Sequence, residues 1–178
     1  MISQQERQQA ADALFEAGRT SKPIAQVSKT WPEMEIEDSY VVQQLWADKR
    51  VQAGARVIGH KIGLTSRAMQ QASKMTEPDY GVLLDDMTYA DGARIPVSLF
   101  SAPRLEVELA FVLGKRLGGK NVTIFDVLDA TAYVTPALEI IDYRTEVPRA
   151  IVDTIADNAA AAGMVTGGRP VRPMDVDL

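Results

Sequence analysis

The residues best suited to chemistry in this 178-residue chain are two glutamates that alternate with apolar residues in the segment 104–111, RLEVELAF. Alternate side chains of a strand point to opposite faces, so Glu106 and Glu108 project side by side from one face. Carboxylate oxygens are the ligands that a hard divalent cation such as Mg²⁺ prefers. A solvent-exposed strand face gives the same pattern, and this segment alone does not separate the two interpretations.

A third glutamate, Glu139, lies in the apolar run 133–141, YVTPALEII. A carboxylate in such a run is costly to bury unless it is paired or bound to a metal. The alternative is a solvent-facing position on an edge strand, which Pro136 favours because proline is found more often at the edges of sheets. Three carboxylates on two strands, completed by water and substrate oxygens, are about what a Mg²⁺ site needs.

A lysine and an aspartate are candidates for moving protons. Lys61 lies in the glycine-flanked segment 59–63, GHKIG. Beside a bound cation, burial and like charge favour the neutral amine that acid–base catalysis uses, whereas the alternative is a surface charge. Asp79 follows Pro78 in a turn-like segment, where it could orient water, pair with Lys61 or only shape the turn. Gly59 and Gly63 indicate either a close backbone approach or a bulge.

Other polar residues are weaker candidates. Asp157 and Asn158 could cap or turn the chain, or reach the metal through water, and the sequence does not rank these roles. The candidates for binding a substrate are His60, Arg67, Lys74 and Arg144, and for the three cations a solvated surface charge is the alternative.

The composition excludes several classes of function. The chain has no cysteine, which removes disulfides, thiolate zinc sites and cysteine nucleophiles, and it has a single histidine. Its net charge of -5 argues against nucleic acid as a partner. No apolar run approaches the length of a membrane span and no signal-peptide pattern is present, so we expect a cytoplasmic protein without a membrane partner.

The elements that must position these residues follow from periodicity. We predict an α+β protein with a helical N-terminal region, 1–55, and a catalytic β-rich region, 56–178. The predicted helices cover 4–17 (ended by Gly18), 37–53 with Tyr40, Val41, Leu45 and Trp46 inward, 67–74 and about 123–129. The predicted strands cover 56–63, 87–90, 104–114, where Leu105, Val107, Leu109 and Phe111 form the packed face, and 132–142. Because the chain stops where another element should begin, we expect an incomplete C-terminus.

Four segments together resemble one family: GHKIGLTS (59–66), EPDYGVLLDDM (77–87), RLEVELAF (104–111) and PALEIID (136–142). These motifs, in order along nearly the whole chain, resemble the 2-oxo-hept-4-ene-1,7-dioate hydratases of homoprotocatechuate degradation. Those enzymes are grouped with the 2-keto-4-pentenoate hydratases and 4-oxalocrotonate decarboxylases in the fumarylacetoacetate hydrolase superfamily.

The resemblance implies a fold and a site. The fold would be a mixed β-roll of the fumarylacetoacetate hydrolase C-terminal-domain type, with a helical N-terminal region and without its C-terminal strands. The assembly would be a homo-oligomer built from pentameric rings, up to a decamer. Glu106, Glu108 and Glu139 would be the Mg²⁺ or Mn²⁺ ligands, and Lys61 and Asp79 would belong to the acid–base machinery.

The implied reaction is hydration of a 2-oxo acid in aromatic meta-cleavage catabolism. The metal would hold the 2-oxo and C1 carboxylate oxygens, and water would add at C4 to give 4-hydroxy-2-oxoheptanedioate. Two alternatives stay open: a 2-oxo-3-enedioate (4-oxalocrotonate-type) decarboxylase using the same chelation, and a truncated, non-catalytic subunit. Retention of all three glutamates argues against the second alternative.

Overall fold

A computed structural model describes residues 1–176. The helices are α1 (Gln4–Thr20), α2 (Val27–Thr30), α3 (Ile36–Gln52), α4 (Arg67–Ala72), α5 (Ile124–Ala130) and α6 (Ile151–Ala156). The strands are β1 (Val57–Gly63), β2 (Asp79–Leu84), β3 (Thr88–Tyr89), β4 (Arg104–Leu113), β5 (Thr131–Ile141) and β6 (Ala161–Thr166). No helix among these residues is both long enough and apolar enough to span a membrane.

The strands form two sheets. β1 and β2 make an antiparallel pair, and the second sheet has the order β3-β6-β5-β4. In it, β5 is antiparallel to both of its neighbours, and the short β3 runs parallel to β6. β5 therefore lies inside the sheet, while β4 forms an edge within the part of the chain that the structure describes.

The first helix begins as its sequence predicts but ends later. The Ser3 side chain accepts a hydrogen bond from the Glu6 amide and the Glu6 carboxylate accepts one from the Ser3 amide, a reciprocal cap that fixes the start. The expected stop at Gly18 is wrong, because the helix continues to Thr20 and ends at Ser21 in the left-handed conformation.

The buried face of α3 differs from the predicted one. Trp46 is buried as expected, but Tyr40, Val41 and Leu45 are only half-buried. The fully buried positions include Asp38 and Gln43 instead. The Gln43 amide donates to the carbonyls of Tyr80 and Ile155, and Asp38 accepts from Arg7, so buried polar contacts set the orientation of this helix. A count of apolar residues cannot detect such contacts.

One hydrophobic core joins the helices to the strands. Leu14 of α1 and Val42 and Trp46 of α3 pack in one cluster with Val82 and Leu84 of β2. Neither β2 nor α6 was predicted as an element. The turn-forming residues at 77–81 conceal the strand, which forms because it pairs with β1 from Gly63 opposite Asp79 to Val57 opposite Leu84.

The packed face predicted for β4 is wrong for this chain. Leu105, Val107, Leu109 and Phe111 are 67%, 87%, 53% and 46% exposed. These four residues, called the apolar face below, lie on the side of the strand opposite the glutamates. Alternation correctly separated the two faces, but whether a face is buried depends on what covers it, and local sequence does not specify that.

A buried asparagine holds β2 in place. Asn158 accepts a hydrogen bond from the Val82 amide at 2.7 Å and donates one to the Val82 carbonyl at 2.9 Å. Asn158, Ala159 and Ala160 all have positive φ, and the sharp turn they form brings the Asn158 carbonyl against Gly81. Of the roles considered for Asn158, the structure gives it a structural one beside β2.

Replacing Asn158 with alanine is expected to lower the free energy of unfolding by about 3 kcal/mol, because it leaves two buried backbone groups without partners. Urea unfolding followed by tryptophan fluorescence measures the change. Asn121→Ala is the matched control, because Asn121 also has positive φ (63°) but is exposed. Equal losses in the two variants would show that backbone conformation, and not the Val82 contacts, causes the effect.

Candidate metal centre

Three glutamates converge on one face of the larger sheet. Glu106 and Glu139 are direct cross-strand partners in β4 and β5, and Glu108 follows on the same face of β4. One carboxylate oxygen from each lies within 4.8 Å of the others. Like charges directly opposite each other destabilise a sheet unless something neutralises them. The cluster therefore has the composition and spacing of a site for a hard divalent cation.

Glu139 is the buried member of this set. It is 7% exposed because β5 lies between β4 and β6, so the edge-strand interpretation is wrong. Burial raises the pKa of Glu139, and the charges of Glu106 and Glu108 add to the rise. Its Oε1 atom has no hydrogen-bond donor among the described residues. A buried carboxylate with one oxygen lacking a hydrogen-bond donor, close to two further carboxylates, fits a cation ligand.

Lys61 reaches into the same site from the smaller sheet. Its Nζ donates to Glu139 Oε2 at 3.3 Å and lies 3.2 Å from Oε1, the latter a charge contact without hydrogen-bond geometry. The Lys61 side chain is only 12% exposed, so the surface-charge alternative is wrong. The sequence could not indicate this pair, because its members lie 78 residues apart.

Asp79 lies beside Lys61 at the start of β2. It is 3% exposed, and its Oδ1 atom has no hydrogen-bond partner within residues 1–176. Burial raises the pKa of Asp79, while the nearby charge of Lys61 opposes the rise. Asp79 belongs to a strand, so the interpretation as a turn residue alone is wrong.

Glycine at position 63 is what allows Asp79 to sit there. A Cβ on Gly63 would overlap Asp79 Oδ1 and would lie 3.5 Å from Lys61 Nζ. The close-approach interpretation is thus confirmed for Gly63. At Gly59 the bulge interpretation fits, because the pairing of β1 with β2 shifts between Val57 and Gly59.

Replacing Gly63 with alanine is expected to cost about 1–3 kcal/mol of unfolding free energy, since the added methyl group must displace the Asp79 carboxylate. Gly59→Ala is the matched control in the same strand. A Cβ there would meet only Leu83 Cδ1, at 3.9 Å, so that variant should stay within about 0.5 kcal/mol of the parent or gain slightly. Urea unfolding of both variants provides the test, and equal stabilities would contradict the close approach.

None of the four candidates for substrate binding has a hydrogen bond or ion pair to the three glutamates within residues 1–176. His60 is exposed on the face of β1 opposite Lys61, and Arg67 and Lys74 are exposed in α4 and just after it. Arg144 has structural partners: its guanidinium donates to both the carboxylate and the carbonyl of Asp157, and to the carbonyl of Ala161. The fully buried Asp157 is thereby committed to ion pairs.

One basic residue that the sequence analysis did not single out lies on the glutamate side of β4. Arg104 is two residues before Glu106, so strand alternation puts the two on the same face. Its guanidinium lies over the ring of Tyr143, 5.8 Å from the ring centroid. On the same ring, the guanidinium of Arg149 lies 4.0 Å from the centroid. The alternation that paired the two glutamates could have identified Arg104.

Comparison with known proteins places the chain among characterised enzymes, although no family model matches it. It is 51% identical over 175 residues to a 2-oxo-hept-4-ene-1,7-dioate hydratase of Escherichia coli, which covers 94% of this chain and 66% of that protein. It is 39% identical over 169 residues to a 2-hydroxypent-2,4-dienoate hydratase of Pseudomonas putida, covering 94% of this chain and 76% of that protein. The chain thus spans about two thirds of the length of the first relative.

The fold comparison agrees. A 4-oxalocrotonate decarboxylase from Pseudomonas putida G7, solved with magnesium and adipate, superposes with a TM-score of 0.95 at 31% identity, covering 100% of this chain and 68% of that one. The structure of the same protein with calcium and acetate gives 0.93. The predicted fumarylacetoacetate hydrolase-type fold of mixed helices and sheets is therefore confirmed. By sequence and by fold, the chain belongs to the family of the 2-keto-4-pentenoate hydratases and 4-oxalocrotonate decarboxylases.

Proposed function

We propose that this chain forms the metal-binding part of a hydratase that adds water to 2-oxo-hept-4-ene-1,7-dioate, or to its 2-hydroxy-diene tautomer. The product would be 4-hydroxy-2-oxoheptanedioate. One observation carries the proposal: Glu106, Glu108 and Glu139 converge while Lys61 bridges to Glu139. The E. coli relative, named a 2-oxo-hept-4-ene-1,7-dioate hydratase, supports this choice of substrate.

The resident ion would be Mg²⁺, with Mn²⁺ as a substitute. The carboxylate donors fit such an ion, as does the buried Oε1 of Glu139, which accepts no hydrogen bond among the described residues. A magnesium complex and a calcium complex of the related decarboxylase support a divalent cation. When bound, the ion would supply charge stabilisation for the enolate of the 2-oxo acid.

The side chains around the glutamates would move the protons. Ketonisation of the 2-hydroxy-diene removes the enol proton and places a proton at C5, giving the conjugated 2-oxo-3-ene. Water addition to that species forms a C–O bond at C4 and a C–H bond at C3, so one proton must leave the attacking water and another must reach C3. Burial raises the pKa of Asp79, which makes its carboxylate a stronger base for a proton of the attacking water. Lys61, held against Glu139, would deliver the proton to carbon.

The direct test follows the loss of the dienol absorbance with Mg²⁺, with Mn²⁺ and with excess chelator, and identifies the product by NMR. We expect metal-dependent formation of 4-hydroxy-2-oxoheptanedioate. Turnover that persists in the presence of the chelator would contradict the metal role. A chain that neither binds nor is stabilised by Mg²⁺ or Mn²⁺ would instead support the alternative of a truncated, non-catalytic subunit.

A second candidate activity is decarboxylation of a 2-oxo-3-enedioate. The structural match to a 4-oxalocrotonate decarboxylase favours it, because the same chelation would stabilise the dienolate left by loss of CO₂. Assay of CO₂ release from 4-oxalocrotonate separates the two reactions. A hydratase consumes the dienol without releasing CO₂, and release at a comparable rate would replace the hydratase proposal.

Assembly as a cytoplasmic homo-oligomer built from pentameric rings is the remaining part of the proposal. The exposed apolar face of β4 supports association, since burying such side chains is favourable by about 25 cal/mol per Å². Sedimentation velocity of the purified chain should show a species of several chains. A single species with the mass of one chain would contradict this assembly.

A further inference from the structure

The three-glutamate site continues along β4 into a positively charged region. Arg104 and Glu106 lie on the same face of this strand, and two residues of a strand span roughly 7 Å. Arg104 lies opposite Ile141 of β5, and the chain leaving β5 brings Tyr143 beneath the Arg104 guanidinium. A cation therefore lies next to the proposed metal ligands, at one end of the site.

The aromatic ring and a second arginine hold this region together. The Arg149 side chain is 8% exposed, and it donates to Asp157 at 2.9 Å while stacking on Tyr143. Burial raises the pKa of Asp79, and the charge of Arg149 is among the influences that oppose the rise, so Arg149 lies within electrostatic reach of the site.

Of the three arginines Arg104, Arg144 and Arg149, Arg104 is the one whose guanidinium has no ion-pair partner among the described residues. It takes part in none of the ion pairs found within residues 1–176, whereas Arg149 uses Nη1 on Asp157 and Arg144 is committed to Asp157 and Ala161. A planar guanidinium that stacks on a ring and keeps its N–H donors free is suited to bidentate binding of a carboxylate.

The separation between Arg104 and Glu106 along β4 matches the length of a dicarboxylate substrate. In a seven-carbon dioate held at its 2-oxo end, five C–C bonds of about 1.5 Å separate C2 from C7, a reach of roughly 6 Å when extended. This reach is close to the separation along β4 between Glu106 and Arg104. We propose that Arg104, supported by Tyr143 and Arg149, binds the second carboxylate of a dicarboxylate substrate and so selects dioates over monocarboxylates. The inference rests on the proposed function, because it assumes that the 2-oxo end binds at the three glutamates.

The test uses two unreactive ligands of equal length, 2-oxoheptanedioate and 2-oxoheptanoate, titrated calorimetrically into the Mg²⁺-loaded chain. The parent should bind the dioate more tightly. Arg104→Gln should weaken dioate binding by on the order of tenfold and leave the monocarboxylate unchanged. Arg104→Lys should bind the dioate with an affinity between those of the parent and of Arg104→Gln, because lysine keeps the charge but lacks the planar guanidinium. Arg116→Gln, which removes an exposed arginine from a distant loop, is the matched control.

The outcomes distinguish a failure of the role given to Arg104 from a failure of the proposed function at the three glutamates. If neither ligand binds the parent, or if binding does not need the metal, the proposed function fails and the inference fails with it. If both ligands bind but Arg104→Gln weakens them equally, or the parent shows no preference, only the inference is overturned. Arg104→Gln, measured without organic ligand, should bind Mn²⁺ at least as tightly as the parent, because it removes a positive charge near the metal ligands. A loss there would assign Arg104 to the metal site instead.

Discussion

Replacing Glu139 with glutamine is expected to weaken Mn²⁺ binding by at least about a hundredfold. Loss of a partner that only orients a metal ligand typically costs 10- to 100-fold in affinity, and Glu139 would be a ligand itself. It is also the buried member of the cluster, where no water can easily take its place. Titration of Mn²⁺ followed by electron paramagnetic resonance measures the free ion directly.

The control for this substitution is Glu33→Gln, which removes the same charge from an exposed position in the loop before α3. Its Mn²⁺ affinity should match that of the parent. If Glu139→Gln binds Mn²⁺ as tightly as the parent, the three-glutamate centre is wrong. If Glu33→Gln loses as much, general electrostatics explains the effect.

The Glu139→Gln variant should also differ from the parent in how its free energy of unfolding depends on pH. Burial raises the pKa of Glu139 in the folded chain above its ordinary value of 4.5. The folded state then binds more protons than the unfolded state, so the stability of the metal-free chain should fall as pH rises from 4.5 through the raised pKa. Glu139→Gln lacks this group, so in the presence of chelator its urea midpoint should fall less over that range. An unchanged profile would mean that Glu139 does not contribute to it.

Local patterns in the sequence were sufficient for part of this site. Alternation along 104–111 correctly placed Glu106 and Glu108 on one face, because the direction of side chains in a strand depends only on the backbone. The apolar run around Glu139 correctly indicated that its carboxylate needs a charged partner or a bound metal ion. Both conclusions use information within one strand.

The parts of the site that the sequence did not predict depend on contacts between segments far apart in the chain. No local pattern indicates that Glu139 lies opposite Glu106, or that Lys61 crosses from the other sheet to meet it. The predicted burial of the apolar face failed for the same reason. Arg104 differs, because its position relative to Glu106 is a local property that the alternation of the strand already gives.

Replacing Lys61 with methionine is expected to lower the rate of hydration by about 10²- to 10⁴-fold, the usual contribution of a general acid or base. Methionine keeps the length and flexibility of the side chain and removes the ammonium group. Without that positive charge beside Glu139, Mn²⁺ should bind at least as tightly as to the parent. Lower activity with undiminished metal affinity is the opposite pattern to that of Glu139→Gln, and steady-state kinetics with the Mn²⁺ titration measures both.

The comparison must be made at saturating metal, because Lys61→Met leaves a buried carboxylate unpaired in the metal-free chain, a change that typically costs 3–5 kcal/mol. Bound metal would restore the compensating charge, so the variant should regain stability on addition of Mn²⁺. Lys120→Met, at an exposed lysine outside the site, should retain full activity. If Lys61→Met turns over at the parent's rate, Lys61 moves no proton. If it fails to bind metal, its role is to position Glu139, and the proton that reaches C3 must come from another group.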